Sequence, residues 1–139
     1  MSDAPFRLAH VADVVAPAAA DPGESDWHAV RIHFGIGSFG IGAYTAEAAG
    51  DVLTSEHDEV NDSGTRHEEL FYVGSGRARF TVDGESVEAD AGTFLYIRDP
   101  SLRREATALE PGTTLLAIGG EPGKAYEVSP WEQKYLDGG

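Results

Sequence analysis

Apolar and polar residues alternate with a period of two through much of this chain, and turns bearing glycine or proline cut the alternation into short segments. The densest segment is Leu70, Phe71, Tyr72 and Val73, all strand formers, followed by Gly74-Ser75-Gly76, which supplies the positive φ of a tight turn. Residues 77–82 then alternate charged with apolar, and Asp83-Gly84 carries the signature of a two-residue hairpin loop, so a further short strand over 86–88 folds straight back. The same reading predicts strands over 93–97, 102–108 and 113–118, separated by turns at Asp90-Ala91-Gly92, Asp99-Pro100 and Glu110-Pro111-Gly112. Nearer the start, Val30, Ile32 and Phe34 alternate with Ala29, Arg31 and His33, which predicts a strand over 27–34, and the glycine-rich stretch 35–42 hands over to another at 43–46. Gly35, Gly37, Gly40 and Gly42 are read as turn and bulge glycines, because neither a helix pattern nor Lys-Ser/Thr follows them as a phosphate loop requires. Strands this short and this frequent describe an all-β sandwich or barrel.

Residues 6–15 have apolar positions near helical spacing and run into a Pro/Ala/Gly linker, which predicts an arm lying on the barrel. The tail offers one helical turn after Ser129-Pro130, with Trp131 packing on the barrel. The expected organisation is therefore an arm and linker over 1–26, a barrel over 27–125 and a tail over 126–139. With 139 residues the chain suits one domain. The abrupt ending at 136–139 leaves room for a partner domain in a longer protein.

Charge narrows the partners. Ten Lys and Arg against 24 Asp and Glu give a net charge of −14, which repels phosphate backbones and anionic lipid, so neither nucleic acid nor a membrane is expected. The absence of cysteine excludes disulfides, thiolate metal sites and cysteine nucleophiles. No stretch approaches the roughly 20 apolar residues of a membrane span, and the first 20 residues lack the basic start and apolar middle of a signal peptide, so a cytoplasmic location is the expectation.

Two spacings carry a resemblance. Glu69, then LFYVGS, then Gly76 matches the end of the first cupin motif, and Gly92 followed by TFLYI matches the start of the second. Over roughly residues 35–120 the chain resembles a single-domain cupin, which implies a double-stranded β-helix, or jelly-roll, barrel and a homodimer. The chain departs from the family at the metal ligands. Counted from Gly92, Arg98, Pro100, Arg103 and Thr107 stand where the motif has proline, glycine, histidine and asparagine. Counted back from Glu69, the motif histidines fall at Ser63 and Thr65. A second register, counted from Gly50, reaches Glu56-His57-Asp58, in which Glu56 and Asp58, or His57 alone, face the cavity. Strand geometry supplies a third reading, since His67 and Glu69 share a face with Phe71.

Two functions follow from this resemblance. In the first, a non-catalytic or weakly catalytic cupin with a metal-free cavity binds a small polar ligand through His67, Glu69, Arg103 and Tyr96; Arg103 pairs with Glu69 or grips a carboxylate on the ligand. In the second, His57, Asp58, His67 and Glu69 supply ligands to Fe or Mn in a cupin enzyme such as a dioxygenase, isomerase or decarboxylase. The permanent charge of Arg103 opposes a divalent cation and favours the first. His10, His28 and His33 show no partner pattern, and Phe71, Phe80, Phe94 and Tyr96 are read as core or barrel lining.

Overall fold

The computed structural model describes residues 5–14, 16, 20–60, 64, 66–126, 128 and 132–133. Among them, nine strands form two antiparallel sheets that face each other as a jelly roll, as the alternation predicts. They are β1 (Asp26–His28), β2 (Gly40–Thr45), β3 (Val52–His57), β4 (Glu68–Ser75), β5 (Arg77–Val82), β6 (Glu85–Asp90), β7 (Phe94–Ile97), β8 (Arg104–Ala108) and β9 (Thr114–Gly120). One sheet runs β1-β2-β9-β4-β7 and the other β3-β8-β5-β6.

The strongest sequence signals are realised most fully. Asp83 and Gly84 have φ of 51° and 81°, the mirror-image turn that matches strand twist, and Val82 pairs with Glu85 across it. On β4, Glu69, Phe71 and Val73 share the inner face while Glu68, Leu70 and Tyr72 lie on the other. Phe71 meets Phe80 of the opposite sheet with ring centroids 5.4 Å apart, and both are fully buried. Each such aromatic contributes about 1.5–3 kcal/mol of burial, enough to lock which face of its strand is inside.

Three elements depart from expectation. Only Asp26–His28 of the predicted 27–34 strand is extended; Val30–Phe34 forms a short helix, α1, ended by Gly35 in the left-handed region. The N–H of Gly35 bonds back to the Arg31 and Ile32 carbonyls, a stop that turns the chain after one helical turn and leaves no periodicity to read. The strand β3 is not predicted at all: its pairing with β8 shifts register twice and puts both Leu53 and Thr54 inside, which leaves no alternation to read. On β7 the predicted faces are exchanged: Leu95 and Ile97 pack inward, while Phe94 and Tyr96 are 65% and 54% exposed on the outside.

The arm contains a single helical turn at Val11–Asp13, and Phe6 and Leu8 are exposed, so only Val14 of its described apolar residues is buried. In the tail, Glu132 and Gln133 are helical; Trp131 and the start of that turn lie outside the described residues. No helix among the described residues is long and apolar enough to cross a membrane.

Candidate functional site

The cavity exists because small residues meet in register. Gly40 of β2 pairs with Gly119 of β9, which pairs with Glu69 of β4; one step along, Gly42 pairs with Ala117, which pairs with Phe71. Two rows without bulk on β2 and β9 leave a hollow of about 590 Å³ beside the carboxyl of Glu69. Trp27, Tyr44, His57, Asp58, Glu59 and His67 line it, together with Tyr126 and Glu132 of the tail. The close approach is exact to atomic size: a Cβ on Gly40 would lie 2.7 Å from the Tyr126 hydroxyl, and one on Gly42 would lie 3.0 Å from Nε1 of Trp27.

The polar core of the site is a chain of four groups. Arg104 Nη1 donates to Glu69 Oε1 at 2.9 Å; Glu69 and Glu59 share a hydrogen bond between their carboxyl groups; and His57 Nε2 lies 3.0 Å from Glu59 Oε1. His57 Nε2 also stands 4.0 Å from Glu69 Oε1. Two carboxylates in contact cannot both be ionised cheaply, and burial adds to that cost. Burial first, and then the Glu59 charge, pushes Glu69 up to about 8, against the opposing pull of His57 and Arg104. Burial would also raise Glu59, but hydrogen bonds from His57 and Glu69 outweigh it and hold Glu59 below the usual carboxylate range. Burial would lower His57, yet its bonds to Glu59 and to the Ser55 carbonyl leave it raised. The result is a proton-sharing pair with Glu69 as the acid and Glu59 as the carboxylate.

The arginine expected at the site, Arg103, is corrected to its neighbour Arg104. Arg103 precedes β8, is exposed, and reaches Glu56 and Asp58 at 3.4 and 3.8 Å outside the cavity. Arg104 is the buried one, because it shares the inner face of β8 with Ala106 and Ala108. Its Nε and Nη2 donate to the Leu102 and Asp99 carbonyls, so its guanidinium is fixed from behind the wall. Tyr96 is likewise corrected: its hydroxyl donates to Glu68 on the outer face and does not reach the cavity. Of the other predicted site residues, His57, Asp58, His67 and Glu69 all line the cavity, while Ser63 and Thr65 lie outside the described residues.

Glu59 is the site residue that sequence reasoning missed. It follows β3, where strand alternation no longer applies, and is positioned by its backbone: its N–H donates to the Pro100 carbonyl and its own carbonyl accepts from His67 N–H. Its spacing of two from His57 was the one available signal. The tail contribution was also missed. Arg31 of α1 donates from Nε to Glu132 Oε1 at 2.7 Å, both groups being buried, and the Tyr126 ring lies 5.5 Å from the same guanidinium and 5.3 Å from the His67 ring.

A divalent metal can be tested against this geometry. Donor atoms of His57, Glu59 and Glu69 lie within 4.8 Å of one another, and the His57 Nδ1–H is donated to the Ser55 carbonyl, which aims Nε2 at both carboxylates as ligating histidines require. On distance the set fits a hard ion such as Mn(II) or Fe(II); on charge it is opposed by Arg104, already bound to one of the three ligands. Asp58 and His67 are not in the cluster.

Solved structures share this architecture. A cupin protein from Bacteroides fragilis superposes with a TM-score of 0.57 at 19% identity, over 81% of this chain and 88% of that one. The chain has the cupin fold. Other cupin-fold neighbours are KdgF from Halomonas sp., at TM-score 0.53 and 16% identity over 67% of this chain and 73% of that one, and Pac13 of Streptomyces, a nucleoside dehydratase solved with uridine, at TM-score 0.53 and 19% identity over 71% of both. No protein-family profile and no curated protein matches the sequence. At these identities the cupin likeness carries the barrel and leaves the chemistry to this chain's own residues.

Proposed function

We propose that this cupin binds a small polar molecule in the barrel without a metal, over the Glu59–Glu69 pair, which is placed for proton transfer. The observation that carries the reading is the buried guanidinium of Arg104 at 2.9 Å from Glu69. It supplies from the protein the positive charge that a metal would bring, and the proton shared by Glu59 and Glu69 completes the neutralisation. Further support comes from the hollow itself and from His67, whose Nε2 is buried in the cavity wall with no hydrogen-bond partner among the described residues. A buried polar atom left in that state favours a ligand that satisfies it.

A second reading has one specific observation behind it, the convergence of His57, Glu59 and Glu69 as metal ligands. Elemental analysis of protein purified without an affinity tag separates the two. The first reading expects substoichiometric iron and manganese, and a melting temperature that added Mn(II) leaves unchanged. Stoichiometric metal that is lost in Glu59→Ala replaces it with a metal-dependent cupin.

A further inference from the structure

We propose that the occupant of the cavity is a small organic cation, an amine carried as its ammonium ion. This rests on the reading that the cavity binds an organic molecule and assigns that molecule a charge. Among the described residues, neither lysine nor arginine lines the cavity, whereas Glu24, Asp58, Glu59, Glu69 and Glu132 all do. The neighbouring arginines stand behind or outside the wall: Arg104 bonds Glu69 and two carbonyls, Arg31 bonds Glu132 from Nε and the Ile36 carbonyl from Nη1 while its buried Nη2 has no hydrogen-bond partner among the described residues, and the exposed Arg103 pairs with Glu56 and Asp58. Among the described lining residues the raised His57 is the cationic group, and it is already bonded to Glu59 and the Ser55 carbonyl, so a carboxylate or phosphate entering the hollow would stand against the Glu59 carboxylate. An ammonium group meets that carboxylate as a partner.

Two independent features point to the same ligand. Nε2 of His67 is buried, 4% of the residue being exposed, and has no hydrogen-bond partner among the described residues; in its Nδ1-protonated tautomer it would accept an N–H. Trp27, Tyr44 and Tyr126 bring three aromatic rings to the wall, the side-chain type that receives cations on its face. Burial raises the hydroxyls of both Tyr44 and Tyr126, and carboxylates add to it, Glu69 and Glu59 at Tyr44 and Glu132 at Tyr126, where Arg31 opposes. The carboxylate-bearing ligand expected from Arg103 is thereby replaced, because that arginine is outside.

Thermal shift and calorimetry with the full chain at fixed ionic strength provide the test. The probes are putrescine, spermidine and choline as cations, myo-inositol and uridine as uncharged molecules, and gluconate and glucose 6-phosphate as anions. The proposal expects saturable one-to-one binding of at least one cation and none of the anions. Glu59→Gln weakens that binding about tenfold or more, since it removes a charged hydrogen bond. His67→Gln weakens it as well, while Glu85→Gln, on β6 and exposed, leaves it unchanged and excludes a general effect of the acidic surface. Each variant is compared with its own ligand-free melting curve. Saturable binding of only anionic or uncharged probes overturns the assignment of charge and leaves a binding cavity standing. Cation binding that Glu85→Gln weakens as much as Glu59→Gln also overturns it. No saturable binding by any probe removes both this inference and the reading beneath it.

Discussion

Arg104 and Arg103 are adjacent in the chain and opposite in consequence. Arg104→Ala leaves the Glu69 carboxyl buried without its guanidinium, and destabilisation of about 3 kcal/mol in urea denaturation is expected, the lower end of what breaking a buried pair costs because Glu69 can take up a proton. Arg103→Ala removes exposed ion pairs and is expected to stay within about 0.5 kcal/mol of the parent. The sequence could have told them apart. Counting from Gly92 placed Arg103 at the ligand position, whereas alternation with Ala106 and Ala108 places Arg104 inside; the pleat of the strand is physically enforced and a motif spacing is not. Titration belongs to this scale too. Glu69 reaches about 8 in the folded protein, above its ordinary 4.5, so the native state holds more protons than the unfolded chain between those values. Its contribution is therefore complete below the lower value and declines as pH rises through the upper one. His57, also raised, acts in the same direction, while the lowered Glu59 acts at lower pH, where its contribution disappears as acid is added. Denaturation midpoints between pH 5 and 8 are expected to fall with rising pH, and Glu69→Gln is expected to flatten that slope.

Among the elements, those built from local rules were legible. The β5–β6 hairpin follows from Asp83-Gly84 alone, and Gly84→Ala is expected to cost about 1 kcal/mol by thermal denaturation. Nothing lies within 4 Å of where its Cβ would stand, so the cost is one of backbone conformation at φ 81°. Where tertiary pairing overrides local pattern the reading failed. The strand β3 is held by bulged pairing with β8, and α1 is held by the buried Arg31, whose partner Glu132 lies 101 residues away. Neither cause leaves a mark in a local window. The inner face of β4, in contrast, was readable because Glu69 alternates with Phe71 and Val73. The hollow beside it was not, since it depends on which glycines of β2 and β9 come into register.

For the molecule as a whole, Tyr126 and Glu132 of the tail line the cavity, and the Arg31–Glu132 pair is one of the contacts that attach the tail, beside the Tyr126 ring against Arg31 and His67. Arg31→Met leaves the Glu132 carboxylate buried without its partner, so the tail is expected to detach while the sheets persist. Hydrogen exchange should accelerate over 126–133 and remain slow in β4 and β9. Unchanged protection in the tail would show that other contacts hold it.

Arg31 lies between β1 and β2 and Glu132 follows β9, so the pair beside this wall of the chamber ties together segments 101 residues apart and spans nearly every strand of the fold.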